Sequence, residues 1–482
     1  MPTGNKFNFK YTYLQLPEDF YQKISPESFP NLEFKFLNKK LAQELEISAT
    51  TEDYINLLNV QQGKENNYFA QAYAGHQFGH FNRLGDGRAI MLGEVQTSNN
   101  ELFDLQLKGG GPTKYSRRGD GKATLKSMLR EYLMSEAMHF LDVPTSRTLA
   151  LIQTGKPVYR ETIQEGASII RVMQSHIRVG TFQYATHLVS KEATQALLDY
   201  SVNRIFPELV TAQNKPIAFF EKVMQQQIEL VAEWMKLGFI HGVMNTDNIA
   251  ISAETFDYGP CAFMNTYNPQ TVYSSIDRNG RYAYGNQPNI LKWNLVRFAE
   301  SLLPLIDDNE DKAVEIALTS IKKFDALWNQ TYYGKMLLKL GIPSHQTAHY
   351  SLVTEFLKLL EEHQLDFTNS FVALAEGEFP IEESLAKDES LMNWKQKWKQ
   401  TIASTTTMKD AIQLMKANNP RIIPRNHLVE EALDEAEQDN FEAIEELLAE
   451  LKSPFDYSNR KEKFTSPPKP QYDKNYQTFC GT

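Results

Sequence analysis

The sequence predicts an α+β chain, β-rich in its first part and mainly helical after it. Two patterns predict this. Residues 89–97, 102–107 and 167–172 are apolar runs of strand length, the first of them alternating, and all lie before residue 173. From residue 185 onward, apolar side chains recur at helical spacing through 185–237, 293–306 and 310–416, with no repeat of fixed period. At 482 residues, with 41% hydrophobic and 23% charged side chains, the chain is long enough for more than one domain and can bury a large core.

The formal net charge of −10 repels nucleic acid and no long basic block offsets it, so a nucleic-acid partner is not expected. No window approaches the ~20 apolar residues of a membrane span, and residues 1–20 hold no apolar core of signal-peptide length. A cytoplasmic protein with no membrane partner is the expectation. Cys261 and Cys480 are the only cysteines, too few for a disulfide scaffold or an all-cysteine zinc site.

Residues 1–60 read as a lead-in segment, extended and then briefly helical, with Leu41, Leu45 and Ile47 as buried contacts. Residues 68–88, YFAQAYAGHQFGHFNRLGDGR, are rich in glycine and aromatics and open into the run at 89–97. Gly85, Asp86, Gly87 and Arg88 therefore stand at the start of one strand, and Lys108 at the end of the next. Glycines let backbone N–H groups approach phosphate oxygens while Lys and Arg supply countercharge, so this pair of strands suits a phosphate site; a plain hairpin turn is the competing reading.

After the glycines at 109–111 and the RRGDG run at 117–121, a helix is predicted over 122–141, with Leu125, Met128, Leu129, Leu133 and Ala137 on its apolar face. At about 100° per residue Glu136 falls within that stripe and Glu131 off it, so periodicity nominates Glu136 as the partner of Lys108. The run at 167–172 carries Arg171, and SHIRVGTF at 175–182 adds Arg178. Two arginines aimed at one pocket fit polyphosphate recognition through the guanidinium fork. His176 lacks a partner at ligand spacing and reads as a packed histidine.

The chemically loaded stretch is 241–260, HGVMNTDNIAISAETFDYGP. Asp247, Asn248 and Asp257 offer hard oxygen donors of the kind Mg²⁺ takes beside a nucleotide, with one carboxylate left to accept a proton. The apolar Ile249, Ala250 and Ile251 are expected to form one arm of a hairpin that brings Asn248 and Asp257 to one ion. The order of His, Asp, Asn and an Asp–aromatic–Gly triplet resembles the catalytic and metal loops of protein kinases, although kinases separate the Asp from the Asn and here the two are adjacent. Beyond it, 429–451 is acidic but periodic and reads as a helix with a solvated face, and roughly the last thirty residues read as a polar tail.

Long blocks in fixed order resemble the selenoprotein O family. They are AGHQFGHFNRLGDGRAIMLGE (74–94), LKGGGPTKYSRRGDG (107–121), LREYLMSEAMH (129–139), SHIRVGTF (175–182), HGVMNTDN (241–248), DYGP (257–260), NQP (286–288) and IPRNHLVEEAL (423–433). The resemblance spans nearly the whole chain. It implies a protein-kinase-like bilobal fold, with a β-rich N-lobe over 61–165, a mainly helical C-lobe over 166–420 and a C-terminal helical extension and tail over 421–482. It implies also that ATP binds in inverted orientation and that AMP passes to protein hydroxyls of Ser, Thr or Tyr, the protein itself among the candidate targets. Carried over by motif, Gly85, Gly87, Arg88, Asp120, Gly121, Arg171 and Arg178 would contact nucleotide, and Lys108 would hold phosphate while pairing with Glu131 instead of Glu136. Asn248 and Asp257 would hold Mg²⁺ or Mn²⁺, with Asp257 beside the nucleotide, and Asp247 would accept the proton.

The family carries selenocysteine near the C-terminus in some members, where this chain has Cys480. A reversible Cys261–Cys480 disulfide that tunes activity is the corresponding expectation. Three other readings remain open on sequence: uridylyl transfer with Mn²⁺, kinase-type transfer of the γ-phosphate, and a catalytically silent nucleotide-binding scaffold.

Overall fold

The apolar runs after residue 88 pair as strands of one sheet, which the computed structural model, describing residues 6–60, 66–380, 385–458 and 461–479, extends on both sides. In chain order this part holds β1 (Tyr21–Lys23), β2 (Glu33–Leu37), α1 (Lys39–Glu44), α2 (Thr51–Leu58), β3 (Phe69–Gln71), β4 (Ala74–Gln77), β5 (His80–Arg83), β6 (Ala89–Gln96), β7 (Leu102–Lys108), α3 (Leu125–Phe140), β8 (Arg147–Tyr159) and β9 (Ile163–Met173). Seven strands join in the order β1-β3-β6-β7-β9-β8-β2, each neighbouring pair antiparallel, and β4 with β5 forms a separate hairpin. The lead-in segment thus supplies both edge strands of the sheet, and Leu41, Leu45 and Ile47 are buried as expected.

Side chains alternate across a strand, and that alternation decides which residues meet the site. Leu105 and Leu107 of β7 and Ile170 and Val172 of β9 join one apolar cluster with Leu41, Leu45, Tyr54 and Leu58 of α1 and α2 and the turn between them. Gln106, Lys108 and Arg171 point to the opposite face, where α3 packs. That helix belongs to the larger cluster, which continues into the helical part of the chain.

The helical part comprises α4 (Val179–Tyr184), α5 (Lys191–Ile205), α6 (Lys215–Leu237), α7 (Gln287–Ile306), α8 (Glu310–Ile321), α9 (Phe324–Lys339), α10 (Tyr350–Glu362), α11 (Phe367–Glu376), α12 (Glu389–Thr405), α13 (Met408–Asn418), α14 (Asn426–Ala436) and α15 (Glu442–Leu451). At the end of α6, Gly238 takes the left-handed conformation, φ +73°, that closes a helix without a Cβ clash. Immediately after it β10 (Phe239–Ile240) pairs with β11 (Ala262–Phe263), Phe239 opposite Phe263. The stretch carrying Asp247, Asn248 and Asp257 is the loop between these two short strands.

Two expectations need correction. The apolar residues at 249–251 form no hairpin arm toward Asp257: Val179 N–H donates to Ile249 O (2.9 Å) and Ile251 N–H to Ile177 O (2.9 Å), so this run pairs with the Arg178 segment instead. The acidic run at 429–451 is two helices separated by a turn, α14 and α15, whose apolar faces are buried and whose Glu430 pairs with Arg130 of α3 (2.8 Å). The tail folds back onto the chain: Thr478 N–H donates to Tyr273 O (2.8 Å), and its hydroxyl donates to Pro260 O (2.7 Å). Among the described residues no helix is long and apolar enough to cross a membrane.

Candidate active site

The geometry starts from Lys108, the last residue of β7. Its ammonium lies between two carboxylates, Glu131 Oε2 at 2.5 Å and Asp257 Oδ1 at 2.6 Å. Glu131 Oε1 in turn takes Arg171 Nε at 2.7 Å and Nη2 at 2.5 Å, so one glutamate holds the lysine and the arginine side by side on adjacent strands. Burial pushes the Glu131 carboxyl up, but Arg171 and Lys108 outweigh it and leave it lowered. Burial likewise pushes Asp257 up, and Lys108, Arg171 and Arg88 hold it well below the usual carboxylate range. Asp257 is a fixed negative charge.

Glu136, favoured by periodicity, sits elsewhere. Its two oxygens receive Arg147 Nε at 2.6 Å and Nη2 at 2.7 Å, a buried bidentate pair at the start of β8. Both glutamates are inside because α3 is covered by the sheet on one side and by α14 and α15 on another, so an apolar stripe does not separate inner from outer. Glu136→Ala should therefore cost about 3 kcal/mol of stability by removing the bidentate partner of buried Arg147, which then keeps the more distant Glu44 at 3.6 Å, while nucleotide affinity stays unchanged. Thermal melts beside calorimetric titration with ATP would check it.

Arg178 follows from the pairing of 177–179 with 249–251. Its Nη1 donates to Asp247 O (3.2 Å), and its guanidinium stacks on Tyr73 (4.1 Å) and Phe256 (5.0 Å). Asp247 sits in a single helical turn, 246–248; burial pushes its carboxyl up to about 6, against the pull of Arg178. Such a carboxylate is ionised at neutral pH yet accepts a proton more readily than an ordinary aspartate. Asp257 has φ +67°, a strained conformation for a residue with a Cβ, held between buried Phe256 and Tyr258.

Gly85, Gly87, Arg88, Lys108, Asp120, Gly121, Arg171, Arg178, Asp247 and Asp257 all line one cavity of about 550 Å³. A Cβ at Gly85 would stand 2.3 Å from the ring of Tyr115, and one at Gly121, φ +68°, 2.2 Å from the backbone of Gly111. Asp120 caps Lys122 N–H and pairs with Arg160 at 2.9 Å. Eight cationic side chains line the cavity, namely Arg88, Lys108, Arg117, Arg118, Lys122, Arg160, Arg171 and Arg178, against the four carboxylates Asp86, Asp120, Asp247 and Asp257. In a chain of net charge −10 this is a locally inverted field, suited to a polyanion.

Glu131 stands behind that wall. Asn248 is outside the lining too; its Nδ2 donates to Val243 O (3.0 Å), so that bond does not occupy its amide oxygen. Among the described residues no group of three His, Cys, Asp or Glu side chains could hold a metal ion. An ion here would draw ligands from Asn248 and Asp257 and complete its shell with phosphate oxygens, which is the habit of Mg²⁺. Cys261 is fully buried, with its thiol pushed up to about 12 by burial, and Cys480 lies outside the described residues.

A family model described as Protein adenylyltransferase SelO matches residues 4–452. The chain belongs to the SelO family. Two relatives named Protein nucleotidyltransferase YdiU agree with this. One, from Clostridium perfringens (strain SM101 / Type A), is 47% identical over 484 residues, covering 99% of this chain and 98% of its own. The other, from Anoxybacillus flavithermus (strain DSM 21510 / WK1), is 48% identical over 484 residues, covering 99% of each. With SelO membership comes the enzyme class, nucleotidyl transfer.

Several further residues of the cavity wall carry no chemical signal in the sequence. Asp86, inside the GDGR turn, is buried, accepts from Gln71 N–H (3.1 Å) and faces Arg178 at 3.8 Å; burial raises its carboxyl. A carboxylate between two glycines reads as turn chemistry, and nothing local marks it as buried. Tyr73 and Phe256 reach the cavity from outside the matching blocks, and Gln77 reaches it from within the 74–94 block. His176, read as packed, is buried with its Nδ1 3.0 Å from Asp104 Oδ2.

Proposed function

We propose that the chain is a protein adenylyltransferase, moving AMP from ATP to a hydroxyl of a protein side chain and releasing pyrophosphate. The observation that carries this reading is the cation-lined cavity of an acidic chain, with Asp247 and Asp257 in its wall. A polyphosphate matches that field, and the SelO description favours attack at the α-phosphorus. The reading includes a protein-kinase-like fold, its N-lobe over 61–165, C-lobe over 166–420 and extension over 421–482. In support, a strand lysine meets a helix glutamate and the Asp–aromatic–Gly aspartate, which is the kinase arrangement of charges.

Gly85 and Gly87 leave backbone amides open to phosphate oxygens, and Arg88, Lys108, Arg171 and Arg178 oppose the charge of the polyphosphate. Asp120 and Gly121 close the far side of the nucleotide site. Asp247 takes the proton of the acceptor hydroxyl as its oxygen bonds to the α-phosphorus, while the bond from that phosphorus to the pyrophosphate oxygen breaks. Mg²⁺ or Mn²⁺, held by Asn248 and Asp257 together with phosphate oxygens, would supply Lewis-acid neutralisation of the departing pyrophosphate. Acceptors would be Ser, Thr or Tyr hydroxyls of other proteins and of the protein itself. Equal release of pyrophosphate and gain of one adenylate on protein, by mass spectrometry, is the expected result; ADP with a phosphate on protein would replace this reading with a kinase.

The Cys261–Cys480 pair belongs to the same proposal as a regulatory disulfide. The chain at Thr478 returns to Pro260, next to Cys261. Because a buried thiol is a poor nucleophile, exchange would require the tail to shift first.

A further inference from the structure

The β4–β5 hairpin stands outside the seven-stranded sheet and packs on the turn that carries Asp247. Its sequence, AGHQFGHFNR over 74–83, was among the blocks singled out above, yet it contributes no residue to the mechanism as derived. Its contacts fall on three consecutive residues of the catalytic turn. Phe78 N–H donates to Asn245 Oδ1 (3.1 Å), His76 N–H to Thr246 Oγ1 (2.7 Å), and the Gln77 amide to Asp247 Oδ2 (3.3 Å). Gly75 lies directly against the carboxylate: a Cβ there would stand 2.6 Å from Asp247 Oδ1, 2.9 Å from its Cβ and 3.1 Å from its Cγ.

We propose that the β4–β5 hairpin aims the proton acceptor, with Gly75 and Gln77 as its positioning residues. This rests on the adenylyl-transfer reading for the reaction that the acceptor serves. Arg178 grips Asp247 through its backbone carbonyl and donates no hydrogen bond to the carboxylate. Among the described residues Oδ1 is buried without a hydrogen-bond partner, seated on the Gly75 backbone. Gln77 is therefore the side chain that fixes the plane of the carboxylate, and Gly75 is the residue whose smallness lets it lie there. The hairpin is anchored from behind. A Cβ at Gly180 of α4 would fall 2.0 Å from Ala74 O, Gln183 bridges Thr246 (2.6 Å) and His76 (2.9 Å), and Tyr282 bonds Asn245. Gly75 is not in the left-handed region, so alanine there meets the carboxylate and no backbone strain.

The test uses the full chain carrying Gly75→Ala or Gln77→Met, with kcat, KM and Kd for ATP, and Tm measured on each. Misplacing a catalytic group by about 1 Å costs on the order of 10²-fold in rate, so Gly75→Ala should lower kcat by about that factor and Gln77→Met by about tenfold, with ATP affinity and Tm unchanged. Retained kcat in both variants, or kcat falling only in step with ATP affinity and Tm, would overturn the proposal. Should Gly75→Ala not fold, Gln77→Met carries the test, since it keeps the length of the side chain and removes the amide that donates to Asp247. A wild type that transfers the γ-phosphate instead would sink the adenylyl reading alone, for the kcat of that reaction would then fall in the same two variants.

Discussion

Asp257→Ala is expected to lose AMP transfer by on the order of 10³-fold or more while still folding and still binding nucleotide. Its carboxylate would serve twice under the proposed reading: Oδ1 holds the Lys108 ammonium at 2.6 Å, and the remaining oxygen would ligate the metal that accompanies the nucleotide. Removing it cuts both. The fold should persist, because Glu131 keeps Lys108 and Arg171 paired and the buried Phe256 and Tyr258 hold the loop on either side. Initial rates of pyrophosphate release, beside calorimetric titration with ATP, would measure both halves; activity within a few-fold of wild type would remove Asp257 from the machinery.

Lys108→Met should be the next most damaging change, lowering kcat/KM by on the order of 10²–10³-fold. Methionine fills much of the same volume, so the effect is one of charge. The ammonium is buried, and burial followed by Arg171 lowers its proton affinity, while Asp257 and Glu131 restore part of it. Without it two carboxylates face each other across the cavity wall with Arg171 and Arg88 as the nearest compensation, and the polyphosphate loses its central countercharge. Most of the loss should fall in nucleotide affinity, which separates this variant from Asp257→Ala. A Kd for ATP that does not move would contradict the role given to Lys108.

Strands and helices were largely legible because their periods differ. The runs at 89–97 and 102–107 became β6 and β7, and alternation alone places Lys108 on the face opposite Leu107. What failed was anything decided by the third dimension. Glu131 and Glu136 are both buried on a helix packed from several sides, so angular position on the helix carries no information about which one meets Lys108. Ile249 to Ile251 has the composition of a hairpin arm, yet its hydrogen bonds go to a segment some seventy residues earlier, and that long-range pairing is what brings Arg178 onto Asp247. The acidic run at 429–451 hid its apolar faces behind carboxylates, of which Asp434 and Glu430 turn out to serve Lys126 and Arg130 of α3. The site residues themselves were named from motif order, and the cavity wall gathers ten of them. Asp86 and Gln77 escaped because their neighbours in space are far away in sequence.

The measurement that bears most directly on the central claim is incubation of the purified protein with ATP labelled at the α- or, separately, the γ-phosphorus, with Mg²⁺ or Mn²⁺, beside Asp257→Ala. Label retained on protein from the α position alone, and lost in the variant, is the predicted result. Label retained from the γ position alone would make the same residues a kinase and contradict adenylyl transfer, and label from neither would leave a nucleotide-binding scaffold.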